Sequence, residues 1–178
     1  MEWQLDERLT LQQLSDVHAE EMFAAITQHR AYLRQWLPWV DGTVTILDTQ
    51  QYIAFTEKQF AVSGIVNMAI VYDGHVVGTV GIHDINRENR STSIGYWLAE
   101  DFQHQGIMTR SVARLVDYLF DTVKLHRIEI RAAVSNKGSR AIPERLGFTN
   151  EGIARDAEWL YDHFVDHAVY ALLEGERS

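Results

Sequence analysis

The stretch Leu98-Ala99-Glu100-Asp101-Phe102-Gln103-His104-Gln105-Gly106-Ile107-Met108-Thr109-Arg110 decides how this chain is read. Apolar residues end at Leu98, a short polar loop follows, and an amphipathic run begins after Gly106. In that run Val112, Leu115, Val116, Leu119 and Phe120 recur at helical spacing. The pattern is strand, loop, helix. The first N–H groups of a helix have no internal partner and carry partial positive charge, so they bind an anion such as phosphate without a lysine. Gly106 allows a ligand close to the backbone, and Arg110 and Arg114 add positive charge nearby. The same residues would also suit a tight loop that binds nothing, and spacing alone leaves both readings open. No Walker or G-x-G-x-x-G pattern is present.

Upstream of this loop the chain reads as an antiparallel meander. Ile65–Tyr72 and His75–His83 flank Asp73-Gly74, a strong hairpin signal, and Ser93–Leu98 follows the polar turn Asn86–Arg90. Before the meander, Arg8–Leu14 alternates as a strand. Ser15 and Asp16 cap a helix whose face runs through Met22, Phe23 and Ile26, and helical spacing continues through Tyr32, Leu33, Trp36 and Leu37 until Pro38. A further helix starts near Asp48. Downstream, Arg127–Val134 reads as a strand and Ser139–Leu146 as a short helix stopped by Gly147. Two strands follow, near Phe148–Ile153 and Val165–Leu173. The expected class is α+β, one domain over residues 1–178.

Composition narrows the chemistry. Cysteine is absent, which removes disulfides, thiolate metal sites, iron–sulfur clusters and a Cys nucleophile. Lys and Arg number 16 against 25 Asp and Glu, a formal charge of −9 that argues against general nucleic-acid binding. No apolar run reaches transmembrane length, and the N-terminus lacks a signal-peptide pattern, so a cytoplasmic protein without a membrane partner is expected. His83-Asp84 and His163-x-x-Asp166-His167 could suggest a metal, but Val165, Ala168, Tyr170 and Leu172 do not support the helix that would bring His163 and His167 together. No metal is expected.

The loop resembles the Q/R-x-x-G-x-G/A acetyl-CoA loop of the GNAT N-acetyltransferases, in the form Gln103-x-x-Gly106-x-Met108, with Met108 in place of the final Gly or Ala. Ile94-Gly95-Tyr96-Trp97-Leu98 is similar to the strand before that loop. Asn136-x-x-Ser139-x-x-Ile142-x-Glu144-Arg145-Leu146-Gly147-Phe148 is similar to the family's second motif. Trp36-Leu37-Pro38-Trp39 and Glu158-Trp159-Leu160-Tyr161 resemble the branch that acetylates ribosomal-protein N-termini. The resemblance spans nearly the whole chain in the family's order.

The resemblance implies the GNAT fold, a mixed and mostly antiparallel sheet of about seven strands with helices on both faces. Strands 93–98 and 127–134 would splay apart around the pantetheine arm. Acetyl-CoA is then the co-substrate, taken up by backbone groups of Tyr96, Trp97 and Leu98 and by the loop Gln103, His104, Gln105, Gly106, Ile107, Met108, Thr109 and Arg110. Asn136, Ser139 and Arg140 complete its contacts. Ser139 is the implied proton donor to the departing thiolate and Glu158 the implied base. Both positions also suit ordinary roles, a first-turn serine and a solvated loop carboxylate. Trp36, Trp39 and Tyr161 are assigned to the acceptor side, although the tryptophans equally suit core closure.

The implied reaction is direct acetyl transfer to a primary amine, and the acceptor is a protein N-terminus of the ribosomal-protein-serine type. About 10–20% of an α-amino group is neutral at pH 7, against about 0.04% of a lysine, so a modest base serves the former. A small-molecule amine acetyltransferase and a non-catalytic acyl-CoA sensor on the same fold remain alternatives, and a homodimer is left open.

Overall fold

A computed structural model describes residues 1–177. Its frame is one eight-stranded sheet in the order β1-β2-β3-β4-β5-β6-β8-β7. The strands are β1 (Glu2–Gln4), β2 (Leu9–Gln13), β3 (Asn67–Tyr72), β4 (His75–Asn86), β5 (Ser91–Leu98), β6 (Arg127–Ala133), β7 (Thr149–Leu160) and β8 (His163–Leu173). Every neighbouring pair is antiparallel except β5 with β6. A parallel pair needs a crossover, and helix α4 (Ile107–Asp121) supplies it.

Side-chain alternation along the strands sorts the core into two layers. Met68, Ile70, Ile94 and Leu98 join one cluster with Val112, Leu115 and Leu119 of α4 and Ile142 of α5 (Lys137–Arg145). Ala69 and Trp97, between them in sequence, point the other way. They meet Met22 and Ile26 of α1 (Ala19–Gln28), Leu33 of α2 (Arg30–Leu33) and Ile53 of α3 (Ile46–Ser63). In the apolar stripe of α4, Val112, Leu115 and Leu119 are fully buried. Helices therefore cover both faces, as the sequence implied.

The structure differs from the sequence reading at three places. An eighth strand, β1, pairs Trp3 with Leu11, and three residues are too few to show a period. The first helical run breaks at His29 and ends at Leu33 instead of continuing to Leu37. Arg30 draws the chain back by donating to the Val40 carbonyl at 2.6 Å and the Thr43 carbonyl at 2.5 Å. The last two strands are longer than their alternation suggested. Irregularities in β7 between Asn150 and Gly152, and again between Ala154 and Glu158, disrupt its period. Glu158 consequently lies within a strand, not in a loop.

Candidate active site

Pairing between β5 and β6 runs from Ser91 opposite Arg127 to Ile94 opposite Ile130 and then stops. Beyond that point β5 remains paired to β4 as far as Leu98, while its other edge, Gly95–Leu98, has no strand partner. Backbone polar groups at such an edge need a partner from outside the sheet. The parting of the strands opens into a cleft of about 1250 Å³, lined by Tyr96, Trp97, Leu98, Ser139, Glu158 and His167 among others.

The loop 99–106 lies at the end of this edge. Gln103 folds back to donate from Nε2 to the Leu98 carbonyl at 3.1 Å, and Phe102 packs edge-on against Tyr72 with ring centres 6.0 Å apart. His104 and Gly106 adopt positive φ, +62° and +71°. This turns the chain so that Gly106 caps α4 with no side chain occupying the cap. The space a Cβ would take at Gly106 is open. The first N–H groups of Ile107, Met108 and Thr109 thus start the helix at an open, uncapped end. Met108 does not crowd the loop: its side chain is 6% exposed and joins the α4 core, leaving its backbone for a ligand.

Charge around the loop is more committed than the sequence suggested. Arg110 forms an ion pair with Asp6, from the turn between β1 and β2. Asp6 accepts backbone N–H groups from Arg8 and Leu9, which together with Arg110 hold its carboxyl below the usual range. Arg114 stacks on Trp3 at 4.3 Å. Arg140 does not line the cleft. It donates to the Tyr170 hydroxyl and the Val134 carbonyl, each at 2.9 Å, and so fastens α5 to the sheet.

Across the cleft from the loop, Asn136 caps α5 by accepting the Ser139 N–H at 3.1 Å. Ser139 Oγ donates to the Tyr96 hydroxyl at 3.2 Å, and Tyr96 donates to the Ser139 carbonyl at 3.0 Å. Burial pushes the Tyr96 phenol well above its ordinary pKa, so it stays protonated. Serine and tyrosine therefore form a short hydroxyl chain at the cleft wall.

The residues assigned to the acceptor come from two segments distant in sequence, and Tyr161 is not among those that line the cleft. Trp36 and Trp39 line the cleft, and Trp39 meets Trp97 edge-on at 6.3 Å. Tyr161, at the β7–β8 turn, donates to the Leu37 carbonyl at 2.5 Å, with the Arg34 guanidinium 3.9 Å over its ring. Arg34 is in turn gripped by Asp41 at 2.8 Å. Tyr161 thus clasps the hairpin to the tryptophan loop. Trp159, next in sequence to Glu158, points to the other side of β7 and packs on Phe164 at 4.8 Å.

Three cleft groups were not assigned roles from sequence. His83 Nδ1 contacts Ser93 Oγ at 2.9 Å, Glu129 sits between Arg127 and Arg131, and His167 Nε2 lies 3.4 Å from Glu158 Oε2. Strand parity puts Val165, His167 and Val169 on one face, and the β7 irregularity between Ala154 and Glu158 brings Glu158 opposite Val165, beside His167. Among the described residues, no three His, Asp or Glu side chains gather as metal ligands.

A chain whose parted parallel strands end in an open helix N-terminus can be compared directly with known proteins. The acetyltransferase (GNAT) domain family matches residues 8–149. The chain belongs to the GNAT acetyltransferase family. YdaF of Bacillus subtilis (strain 168) is 34% identical over 174 residues, covering 97% of this chain and 94% of that protein. The ribosomal-protein-serine acetyltransferase of Escherichia coli (strain K12) is 27% identical over 168 residues, covering 94% and 93%. The solved structure of RimL, a ribosomal L7/L12 alpha-N-protein acetyltransferase in complex with coenzyme A, superposes with a TM-score of 0.92 at 26% identity. It covers 97% of this chain and 98% of that one. The acetyltransferase fold implied by the loop and second motif is the fold observed.

Proposed function

We propose that this GNAT acetyltransferase is one domain that moves the acetyl group of acetyl-CoA directly to a primary amine, and that the amine is a protein N-terminus. The observation that carries the reading is the unpartnered β5 edge, Gly95–Leu98, running into the uncapped start of α4. An extended pantetheine arm matches the edge, and a pyrophosphate matches the helix N-terminus. Acetyl-CoA is the co-substrate, and no metal is required for the steps below.

In this reading a backbone N–H of Tyr96–Leu98 polarises the thioester carbonyl. Glu158 takes one proton from the acceptor ammonium. The freed nitrogen lone pair forms the C–N bond, and the C–S bond breaks as the tetrahedral intermediate collapses. Ser139 gives its proton to the departing sulfur and receives the second proton lost by nitrogen, so the products are the amide and the CoA thiol. In the free enzyme the Ser139 hydroxyl proton points to the Tyr96 hydroxyl, which fixes the Oγ, and the proton turns to the sulfur for this step. The transfer is direct in this reading, with no acetyl-enzyme, and the lack of cysteine removes the thiol nucleophile.

The two tryptophans line the cleft on the side assigned to the acceptor, and the Tyr161 clasp holds their loop from behind. The relatives named for ribosomal-protein and α-N-terminal acetylation support the same acceptor. Ribosomal proteins would place the enzyme in the cytoplasm, and no helix among the described residues is long and apolar enough to cross a membrane. The test is CoA-thiol release with peptides bearing free or blocked N-termini, free amines and aminoglycosides. Turnover confined to free N-terminal peptides supports the reading. Turnover confined to small amines replaces it with small-molecule acetylation. Tight acetyl-CoA binding without any turnover points to a sensor.

A further inference from the structure

The geometry points to His167 as the positioning residue for the Glu158 carboxylate, with the β7 bulge built to bring the two together. This inference rests on the acetyl-transfer reading and on Glu158 as its base.

Three observations carry it. First, His167 Nε2 lies 3.4 Å from Glu158 Oε2, and both side chains line the cleft. The two groups are in contact without hydrogen-bond geometry in the free enzyme, and the bond between them forms as the site tightens on substrate. The histidine is the more deeply placed partner, 14% exposed against 31% for the glutamate, so it can act as a fixed support behind a reachable carboxylate.

Second, the register explains how they meet. Ala154 pairs with His167, and regular antiparallel pairing would place Glu158 opposite His163. Instead Glu158 pairs with Val165. The chain between, Arg155 to Ala157, is bulged outward, with Asp156 at φ +48° and its N–H donated to the Asp166 carboxylate at 2.8 Å. The bulge shifts Glu158 by two residues. That keeps its side chain on the cleft face and makes it the diagonal neighbour of His167.

Third, the alternatives are otherwise engaged. Of the other charged groups on this face, Glu129 is held by Arg127 at 3.0 Å and Arg131 at 2.5 Å, and His83 contacts Ser93. Glu158 has no other ionic partner among the described residues, and His167 is the group that can orient it.

His167 in the Nε2–H form donates to Oε2. Oε1 is then left pointing at the acceptor ammonium, from which it takes one proton as described above. The proton passes to water after product leaves. His167 exchanges no proton in this step.

The test combines kinetics with an acceptor-free signal on the full chain. His167→Ala is expected to lower kcat about ten- to hundredfold, the effect of a base left free to rotate, with the KM for acetyl-CoA unchanged. His167→Gln, whose amide N–H reaches a similar point, is expected to recover most of that loss. In a Glu158→Ala background, His167→Ala is expected to add nothing. Long-range 1H–15N NMR at mildly alkaline pH is expected to show His167 as the Nε2–H tautomer, with that preference lost in Glu158→Ala. Wild-type kcat in His167→Ala, multiplicative losses in the double variant, or a tautomer indifferent to Glu158 would each overturn the inference. Failure of the wild type to acetylate any amine would sink the acetyl-transfer reading itself, and the NMR result would still judge the pair.

Discussion

Replacing Gly106 by Ala separates the fold from the ligand site. Gly106 sits at φ +71° with nothing within 4 Å of the position a Cβ would take. The substitution therefore meets no clash inside the protein and costs only the left-handed backbone penalty, about 1–2 kcal/mol. For a chain of this size that lowers Tm by roughly 2–8 °C. The added methyl, however, projects where a phosphate would approach the helix N–H groups. Loss of one charge-assisted hydrogen bond is worth about 1.5–3 kcal/mol, or about 10- to 150-fold in Kd for acetyl-CoA. Gly147 is the internal control. It has φ +78°, equally open space, and a position after α5. Gly147→Ala should show a similar fall in Tm with unchanged affinity. Calorimetric titration of both variants with acetyl-CoA, beside their melting curves, decides the matter. Equal affinities for Gly106→Ala and wild type, or equal losses in both variants, would refute the placement of the pyrophosphate.

Other perturbations probe the remaining parts. Ser139→Ala should lower kcat about 10²-fold or more and weaken acetyl-CoA binding far less than that, checked by thiol release and calorimetry. Tyr161→Phe removes the hydroxyl that holds Leu37, so the KM for the acceptor should rise while that for acetyl-CoA stays constant in two-substrate kinetics. Leu115→Ala, at a fully buried position of α4, should destabilise the fold by about 2–5 kcal/mol in denaturant titrations. Asp48 accepts the N–H groups of Thr45 and Val44 at the start of α3, which hold its carboxyl below the ordinary value. Its contribution is therefore complete above the unfolded value near pH 3.9 and fades as pH falls through the lower folded value. Asp48→Asn should flatten the acid limb of the stability–pH curve.

Much of the architecture was legible because it is written in local signals. The stripe from Val112 to Phe120, the Asp73-Gly74 turn and the Gly147 stop each report on neighbours a few residues away, and α4, the β3–β4 hairpin and α5 lie where they indicate. The place of the loop from Gln103 to Arg110 followed from the same kind of signal. What stayed hidden depends on distant partners. The fate of Arg110 required knowing that Asp6 arrives beside it, and that of Arg140 required Tyr170. The bulge in β7 erased the alternation that would have marked Glu158 as a strand residue, so its pairing with His167 could not be read from spacing. The Tyr161 clasp joins segments 124 residues apart and leaves no local trace.

The central claim is that acetyl moves from acetyl-CoA straight to an α-amine. Fragmentation mass spectrometry of a product peptide that carries both a free N-terminus and an internal lysine tests it most directly, run beside the intact mass of enzyme exposed to acetyl-CoA alone. The account predicts the acetyl group on the α-nitrogen and an unmodified enzyme. Acetyl on the lysine side chain, or an acetylated enzyme competent to pass its group to the peptide, would contradict it.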